Sequence, residues 1–209
     1  MFKTAIQFIR YDKPKSIGAL AGVVISIFLV GQQAGIFIFL TNAMKSLVAN
    51  NAGYIWVVDS KTDNANQLAR LDMRLGREIA SLPSVDQVYP VVIAAGAAQF
   101  ADGTTSGMTI IGSQAPDFVG GPWGIDSARK VDMIPEGAII TEFFDQKTYG
   151  GVAIGEYFEL NGNKVYNAGF TRGVRGFGGA PYVFTTIERA RALGNYPTDK
   201  ASLFLVKWK

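Results

Sequence analysis

The longest hydrophobic stretch of the chain lies near its N terminus. No charged residue occurs from Ser16 to Asn42, and the apolar heart of this stretch, Ile17–Leu40, is 24 residues long. A helix rises about 1.5 Å per residue, so this segment reaches about 36 Å and exceeds a hydrocarbon core of about 30 Å. A helix buried in a soluble protein seldom stays apolar on every face for this length, and the apolar run of a cleavable signal peptide is usually shorter. The sequence therefore predicts a retained transmembrane helix over residues 16–42.

The two flanks of this span differ in charge. Residues 1–15 alternate apolar with basic or polar side chains, which predicts a cytoplasmic interfacial helix on the inner leaflet. The basic residues of this segment are Lys3, Arg10, Lys13 and Lys15. Only Lys45 follows the span closely, so the positive-inside rule places the N terminus in the cytoplasm. We predict a stalk over residues 43–53 and a periplasmic or extracellular domain over residues 54–209, held by a single pass through the inner (plasma) membrane.

The predicted span carries small and polar residues that favour contacts with other helices. Two pairs of glycines are each four residues apart, and two adjacent glutamines lie within the second pair: Gly18 and Gly22, Gly31 and Gly35, Gln32 and Gln33. Such glycines let a neighbouring helix approach closely, and an amide in lipid is costly without a partner. At 100° per residue the two pairs point about 220° apart, which predicts several neighbours. Glycine is also common in membrane helices in general, and the pattern leaves that alternative open.

The rest of the chain alternates short strand patterns with helical ones. Strand, helix and strand patterns occur over Tyr54–Val58, Gln67–Ser81 and Val85–Phe100, and again over Tyr182–Thr185, Ile187–Leu193 and Ser202–Lys207. Between them lie four strand patterns and a short helical one: Thr104–Gly112, Gly137–Thr141, Tyr157–Leu160, Lys164–Thr171 and Glu142–Tyr149. Asp102-Gly103 and Asn161-Gly162-Asn163 are hairpin signals. These patterns predict an α+β domain with two β-α-β units and a strand-rich insertion, whose two ends lie close together.

Charge and residue composition exclude several classes of function. The net charge of +3 comes from residues 1–15, which hold four basic residues and one acidic residue, so the remaining chain is neutral and nucleic-acid binding has no electrostatic support. The chain has no cysteine and no histidine, which removes thiolate nucleophiles, histidine relays and the usual zinc sites. It also lacks the glycine-rich lysine loop of nucleotide hydrolases. We therefore expect no enzymatic activity, no catalytic residue, no metal and no cofactor.

Two loops offer candidate contact residues. A glycine-rich loop over Arg172–Pro181 carries an arginine-rich and aromatic group, and the longest loop holds a tryptophan between glycines: Arg172, Arg175, Phe177 and Trp123. Arginine and aromatic side chains are favoured anchors in protein interfaces, so we predict partner contacts here. Each of them also fits an ordinary loop residue. The carboxylate pairs Asp59/Asp63 and Asp126/Asp132 match no calcium loop, and we interpret them as solvated charges.

The whole pattern resembles the permease subunits of ABC transporters of the MacB/FtsX class, and within it the DevC-like exporter permeases. The likeness rests on the basic start before one span (FIRYDKPKSIGALAGVVISIFL), on the strand GYIWVVD after the stalk, and on a long C-terminal stretch. That stretch, EGAIITEFFDQKTYGGVAIGEYFELNGNKVYNAGFTRGVRGFGGAPYVFTTIERARAL, is similar to the family's strand and short helix before "G-x-x-x-x-L-N-G", followed by a glycine-rich turn and a "P-x-V-F" strand. The resemblance covers almost the whole chain.

The resemblance implies a membrane subunit that hydrolyses nothing itself. A separate cytoplasmic ABC ATPase would dimerise, and the permease would carry that motion through the span into the outer domain. There it would act on a periplasmic adaptor protein or on substrate, with a second permease copy beside it in the bilayer. In that family three further spans follow the outer domain, whereas this sequence stops after Lys207-Trp208-Lys209, which has the composition of an interfacial anchor.

Two other functions compete with the permease. A bitopic sensor or ligand-binding module would need a deep pocket in the outer domain. A membrane-anchored enzyme agrees least with the sequence, because histidine and cysteine are absent.

Overall fold

The computed structural model describes residues 11, 13–62, 68–174, 176 and 180–209. The chain divides into two compact units, Met1–Asn42 and Ala43–Lys209. Helix α1, Lys13–Ala49, contains the predicted span and is the helix among the described residues that is long and apolar enough to cross a membrane. Most of the interfacial helix predicted over residues 1–15 lies outside the described residues.

The second unit is a mixed α/β domain, as the α+β prediction requires. Its strands are β1 (Ile55–Val57), β2 (Leu71–Asp72), β3 (Val85–Gln99), β4 (Thr105–Ser113), β5 (Ala138–Glu142), β6 (Tyr157–Leu160), β7 (Asn163–Thr171), β8 (Tyr182–Thr186), β9 (Lys200–Ala201) and β10 (Leu203–Trp208). Its α-helices are α2 (Met73–Ala80) and α3 (Ile187–Leu193), and two 3-10 helices span Lys130–Met133 and Phe143–Tyr149. The short helix predicted after β5 is therefore a 3-10 helix. The bounds of the predicted strands agree with the observed bounds within one or two residues.

One large sheet organises this domain. Its strand order is β1-β10-β3-β4-β8-β5-β7-β6, and the end of β3 also pairs with β6 through Ala98↔Leu160 and Gln99↔Glu159. Six strands from β3 to β6 thus form a closed ring within the described chain. Strand β3 has 15 residues and pairs with β10 along its first half and with β4 along its second. Its length allows it to belong to both the open part of the sheet and the ring.

Both predicted β-α-β units are present. Strands β1 and β3 are antiparallel neighbours of β10, which makes them parallel to each other, and α2 connects them. The second β-α-β unit runs from β8 through α3 to β10. Helix α2 is shorter than predicted, because Asp72 caps its N terminus by accepting from the amide of Arg74, while Leu71 pairs with Ala201 in a two-stranded sheet. The start of the predicted helix, Gln67, lies outside the described residues.

Local hydrogen bonds and residues with positive φ form the two predicted hairpin turns. At the β3–β4 turn the Asp102 carboxylate accepts from the amide and hydroxyl of Thr104, and Gly103 has a φ of 82°. At the β6–β7 turn Asn161 and Gly162 both have positive φ, the geometry of a two-residue hairpin. The Asn161 amide also donates to the carbonyls of Ala95 and Leu193. This turn therefore fastens the hairpin to β3 and to the end of α3.

Candidate functional site

The last two turns of α1 belong to the second unit and are built into its core. Leu47 is only 3% exposed and packs in the cluster that contains Val91, Ile111 and Phe118. Ala43, one turn earlier, is also buried, whereas Val48 on another side of the helix is 42% exposed. Residues four apart share one helix face, so one face of this segment is held by the domain.

Hydrogen bonds secure the end of the same helix. The Asn51 amide donates to the Leu47 carbonyl at 2.9 Å, and the Trp56 indole N–H donates to the Asn51 carbonyl at 3.4 Å. Ser46 shares a hydrogen bond with the Tyr182 hydroxyl of β8, whose pKa is raised above its usual value because the ring is buried. We call this arrangement of Ser46, Leu47, Asn51, Trp56 and Tyr182 the helix joint.

A cavity of about 370 Å³ opens beside the helix joint. Its wall includes aromatic, polar and charged side chains: Asn50, Asn51, Tyr54, Tyr89, Asp117, Trp123, Lys130 and Lys207. The Lys130 ammonium donates to the carbonyls of Asp117 and Phe118 at 3.2 and 3.3 Å, and burial lowers its pKa. Burial also raises the pKa of the Tyr89 hydroxyl. The cavity therefore combines an aromatic surface with a cation that the backbone orients.

Trp123, one of the predicted contact residues, lies on the wall of this cavity. Its half-buried ring packs edge-on against Phe184 and Tyr182, with ring centroids 5.2 and 6.1 Å apart. Part of the indole thus completes the core cluster, and the remainder faces the cavity. Its role as a partner contact stays a prediction.

Arg172 lies in a small surface cluster that we call the aromatic platform, formed by Asp126, Phe143, Phe144 and Arg172. The guanidinium contacts both carboxylate oxygens of Asp126, at 3.0 and 3.4 Å, and lies 4.1 Å from the Phe143 ring centroid and 5.3 Å from that of Phe144. The hydrogen bond to Asp126 raises the pKa of Arg172, and Phe144 is 53% exposed. Asp126 is thus a surface charge that forms an ion pair with Arg172. Arg175 and Phe177 lie outside the described residues.

A buried carboxylate at the base of the platform was missed by sequence reasoning. Glu142 is 0% exposed, and its side chain accepts from the Thr171 hydroxyl at 2.7 Å and from the amides of Gly173 and Val174 at 2.8 and 3.0 Å. It therefore fixes the first residues of the glycine-rich loop. In the sequence, the signal for this role is a single charged residue at the end of the otherwise uncharged strand Ala138–Glu142.

The predicted helix-packing residues of the span are exposed in the isolated chain. A Cβ added at Gly18, Gly22, Gly31 or Gly35 would meet nothing within 4 Å, and Gln32 and Gln33 are also exposed. Their role as helix contacts stays a prediction. Among the described residues, no group of three or more acidic side chains could hold a metal ion. Asp132 pairs with Arg129 instead, and Asp63 lies outside the described residues.

Comparisons with known proteins identify the fold. The chain is similar to the extracellular domain of a noncanonic ABC-type transporter, YknZ, from Gram-positive bacteria, with a TM-score of 0.52 and 13% identity over 74% of this chain and 81% of that one. It is also similar to the periplasmic region of MacB from Actinobacillus actinomycetemcomitans, with a TM-score of 0.56 and 9% identity over 78% of this chain and 80% of that one. No family model and no curated protein sequence matches the chain. The second unit thus has the MacB-like periplasmic domain fold, which confirms the predicted resemblance at the level of the fold.

Proposed function

We propose that this chain is a membrane permease component of an ABC-type export or mechanotransmission complex. It would couple a separate cytoplasmic ATPase to an outer domain that engages an adaptor or substrate. The observation that carries this proposal is the helix joint. Helix α1 contains the uncharged stretch, and its last turns place Leu47 in the core of a domain with the MacB-like fold. A helix fixed in this way transmits displacement to the domain, whereas a flexible linker would absorb it.

The partners follow from the span and the platform. Gly18, Gly22, Gly31 and Gly35, with Gln32 and Gln33, would contact other helices, including those of a second permease copy. The basic N-terminal flank would lie in the cytoplasm, where the ATPase is, and the outer domain on the periplasmic or extracellular side. The aromatic platform and the glycine-rich loop, with Arg172, Arg175 and Phe177, would form the surface for an adaptor, together with Trp123.

Copurification from native membranes tests this proposal. Two differently tagged copies of the chain are coexpressed and solubilised in detergent, and one tag is used for capture. We expect the other tag and an ABC ATPase in the eluate. The variant Gly35→Ile should reduce recovery of the second copy several-fold, because a branched side chain prevents close approach of helices. Ala34→Ile places the same isoleucine side chain one residue away and serves as the control. Recovery of a lone monomer would contradict the proposal.

A further inference from the structure

Three large apolar side chains are exposed together at one corner of the second unit. Ile55 is 51% exposed, Leu82 52% and Trp208 68%. They come from three separate segments, namely β1, the turn after α2, and the end of β10. We call this group the apolar corner. Scattered exposed apolar residues need no explanation, but a group built from three segments indicates an interaction site.

Backbone pairing brings these residues together. Ile55 pairs with Val206, two residues before Trp208, and Trp208 pairs with Val85. The amide of Val85 donates to the Leu82 carbonyl at 3.0 Å. Val206 and Val85, the pairing partners of Ile55 and Trp208, pack in one cluster with side chains of α2. Paired residues share a face of a sheet, so Ile55 and Trp208 lie on the face that α2 partly covers.

Hydrogen bonds from Lys209 hold the end of β10 against the turn after α2. The Lys209 amide donates to the Ser84 carbonyl at 3.1 Å, and its ammonium donates to the Pro83 carbonyl at 2.8 Å. Lys207 nearby forms an ion pair with Asp86 at 2.8 Å, so its charge is compensated while that of Lys209 has no carboxylate partner among the described contacts. The corner is therefore apolar with a cationic margin.

The length of α2 explains the exposure. This helix has eight residues and ends at Ala80, where Ser81 and Pro83 stop it. Its Gly76 packs directly on Phe204, so the helix covers the middle of the sheet face and not its end. Ile55 and Trp208 lie at that uncovered end.

We propose that the apolar corner inserts into the headgroup layer of the membrane. Tryptophan and lysine beside aliphatic side chains are the composition of an interfacial anchor, and a cation favours anionic lipid. Ile55 also follows the end of α1 at Ala49 by six residues, so the corner lies close in sequence to the helix that holds the uncharged stretch. The inference rests on the membrane anchoring in the proposed function, and it goes further by assigning a lipid contact to the outer domain.

Quenching of a fluorescent label by nitroxide lipids tests the inference. The chain contains no cysteine, so a single cysteine introduced into it is labelled uniquely. Leu82→Cys reports on the corner. Tyr157→Cys is the matched control, because Tyr157 is 56% exposed and lies near Glu159, which pairs with Gln99 at the other end of β3. At about 3.3 Å per residue, that end is about 45 Å along the strand from Val85. Phe28→Cys, within the span, reports on anchoring itself.

Each variant carries a nitrobenzoxadiazole label and is reconstituted into vesicles of phosphatidylcholine and phosphatidylglycerol that contain headgroup- or acyl-chain-nitroxide lipid. We expect headgroup nitroxide to quench the label at position 82 and to leave that at position 157 unchanged, while acyl-chain nitroxide quenches the label at position 28. Equal responses at positions 82 and 157 would overturn the inference. If the label at position 28 is quenched in that case, the anchoring in the proposed function stands; if it is not, both fail. Emission of Trp208 in a Trp56→Phe, Trp123→Phe background gives a second measurement at the corner.

Discussion

Glu142 shows how a single residue can organise the loop next to a candidate interface. A carboxylate with no solvent exposure is unfavourable unless strong hydrogen bonds compensate its lost hydration. Here the Thr171 hydroxyl and the amides of Gly173 and Val174 provide them. The same bonds hold the chain beside Arg172, so the order of the aromatic platform depends on this carboxylate.

Replacing Glu142 by alanine should destabilise the outer domain. Glu142→Ala removes the side-chain acceptor of three amides, those of Phe144, Gly173 and the fully buried Val174, and we expect the free energy of unfolding to fall by about 3 kcal/mol. Glu142→Gln keeps one oxygen acceptor and should lose about half as much. Urea unfolding of the detergent-solubilised chain, followed by near-ultraviolet circular dichroism, measures both. Glu159→Ala, at an exposed glutamate, is the control, and an equal effect there would contradict the assigned role of Glu142.

At the scale of elements, the end of α1 differs from the rest of the helix in what surrounds it. The uncharged part is exposed on all sides, whereas Ala43 and Leu47 are buried in the domain. The stalk predicted over residues 43–53 is therefore helical to Ala49 and packed on one side. This change of surroundings within one helix makes the helix joint a specific structural feature rather than a spacer.

Truncating Leu47 should loosen the helix joint. Leu47→Ala removes a side chain that is 3% exposed, and such truncations in a core cost about 2–4 kcal/mol. Hydrogen exchange of residues 43–49 should accelerate, while α3 keeps its protection. Val48→Ala removes a 42% exposed side chain from the same turn and should change stability by less than about 0.5 kcal/mol. Unchanged exchange in Leu47→Ala would show that the domain does not hold this segment.

At the scale of the whole molecule, the charge distribution and the sheet topology bear on the predicted orientation. The net positive charge lies before the span, and the rest of the chain is neutral. Strand β1 is antiparallel to β10, so the chain just before Ile55 runs beside the chain after Val206. Both ends of the outer domain thus lie at one edge of the sheet, as the strand and helix patterns predicted.

Labelling of single cysteines in intact cells tests the predicted orientation. We expect Thr198→Cys, at an exposed position of the outer domain, to react with a membrane-impermeant maleimide. Lys13→Cys, in the basic flank, should react only after the cells are permeabilised, because the positive-inside rule places it in the cytoplasm. The reverse pattern would contradict the orientation and with it the proposed coupling to a cytoplasmic ATPase. The cysteine-free parent chain is the control.

The sequence by itself determined the features that depend on neighbouring residues. An uncharged run of sufficient length predicts a span, period-two alternation predicts strands, and Asp102-Gly103 and Asn161-Gly162 predict hairpins because their backbone geometry is local. These predictions agree with the helix, strands and turns of the structure. They also account for the resemblance to the MacB class, since that resemblance rests on the order of the same elements.

Only the tertiary structure decided the features that join distant parts of the chain. The closure of β3 on β6 and the pairing of Arg172 with Asp126 each connect segments more than forty residues apart. Leu47 likewise packs in a cluster with residues of β8 and β10, which are distant from it in the sequence. A hydrophobic period reports that a face is buried but not which partner buries it, because side-chain alternation is the same for every neighbouring strand. The platform, the helix joint and the apolar corner therefore became visible only once the sheet was assembled.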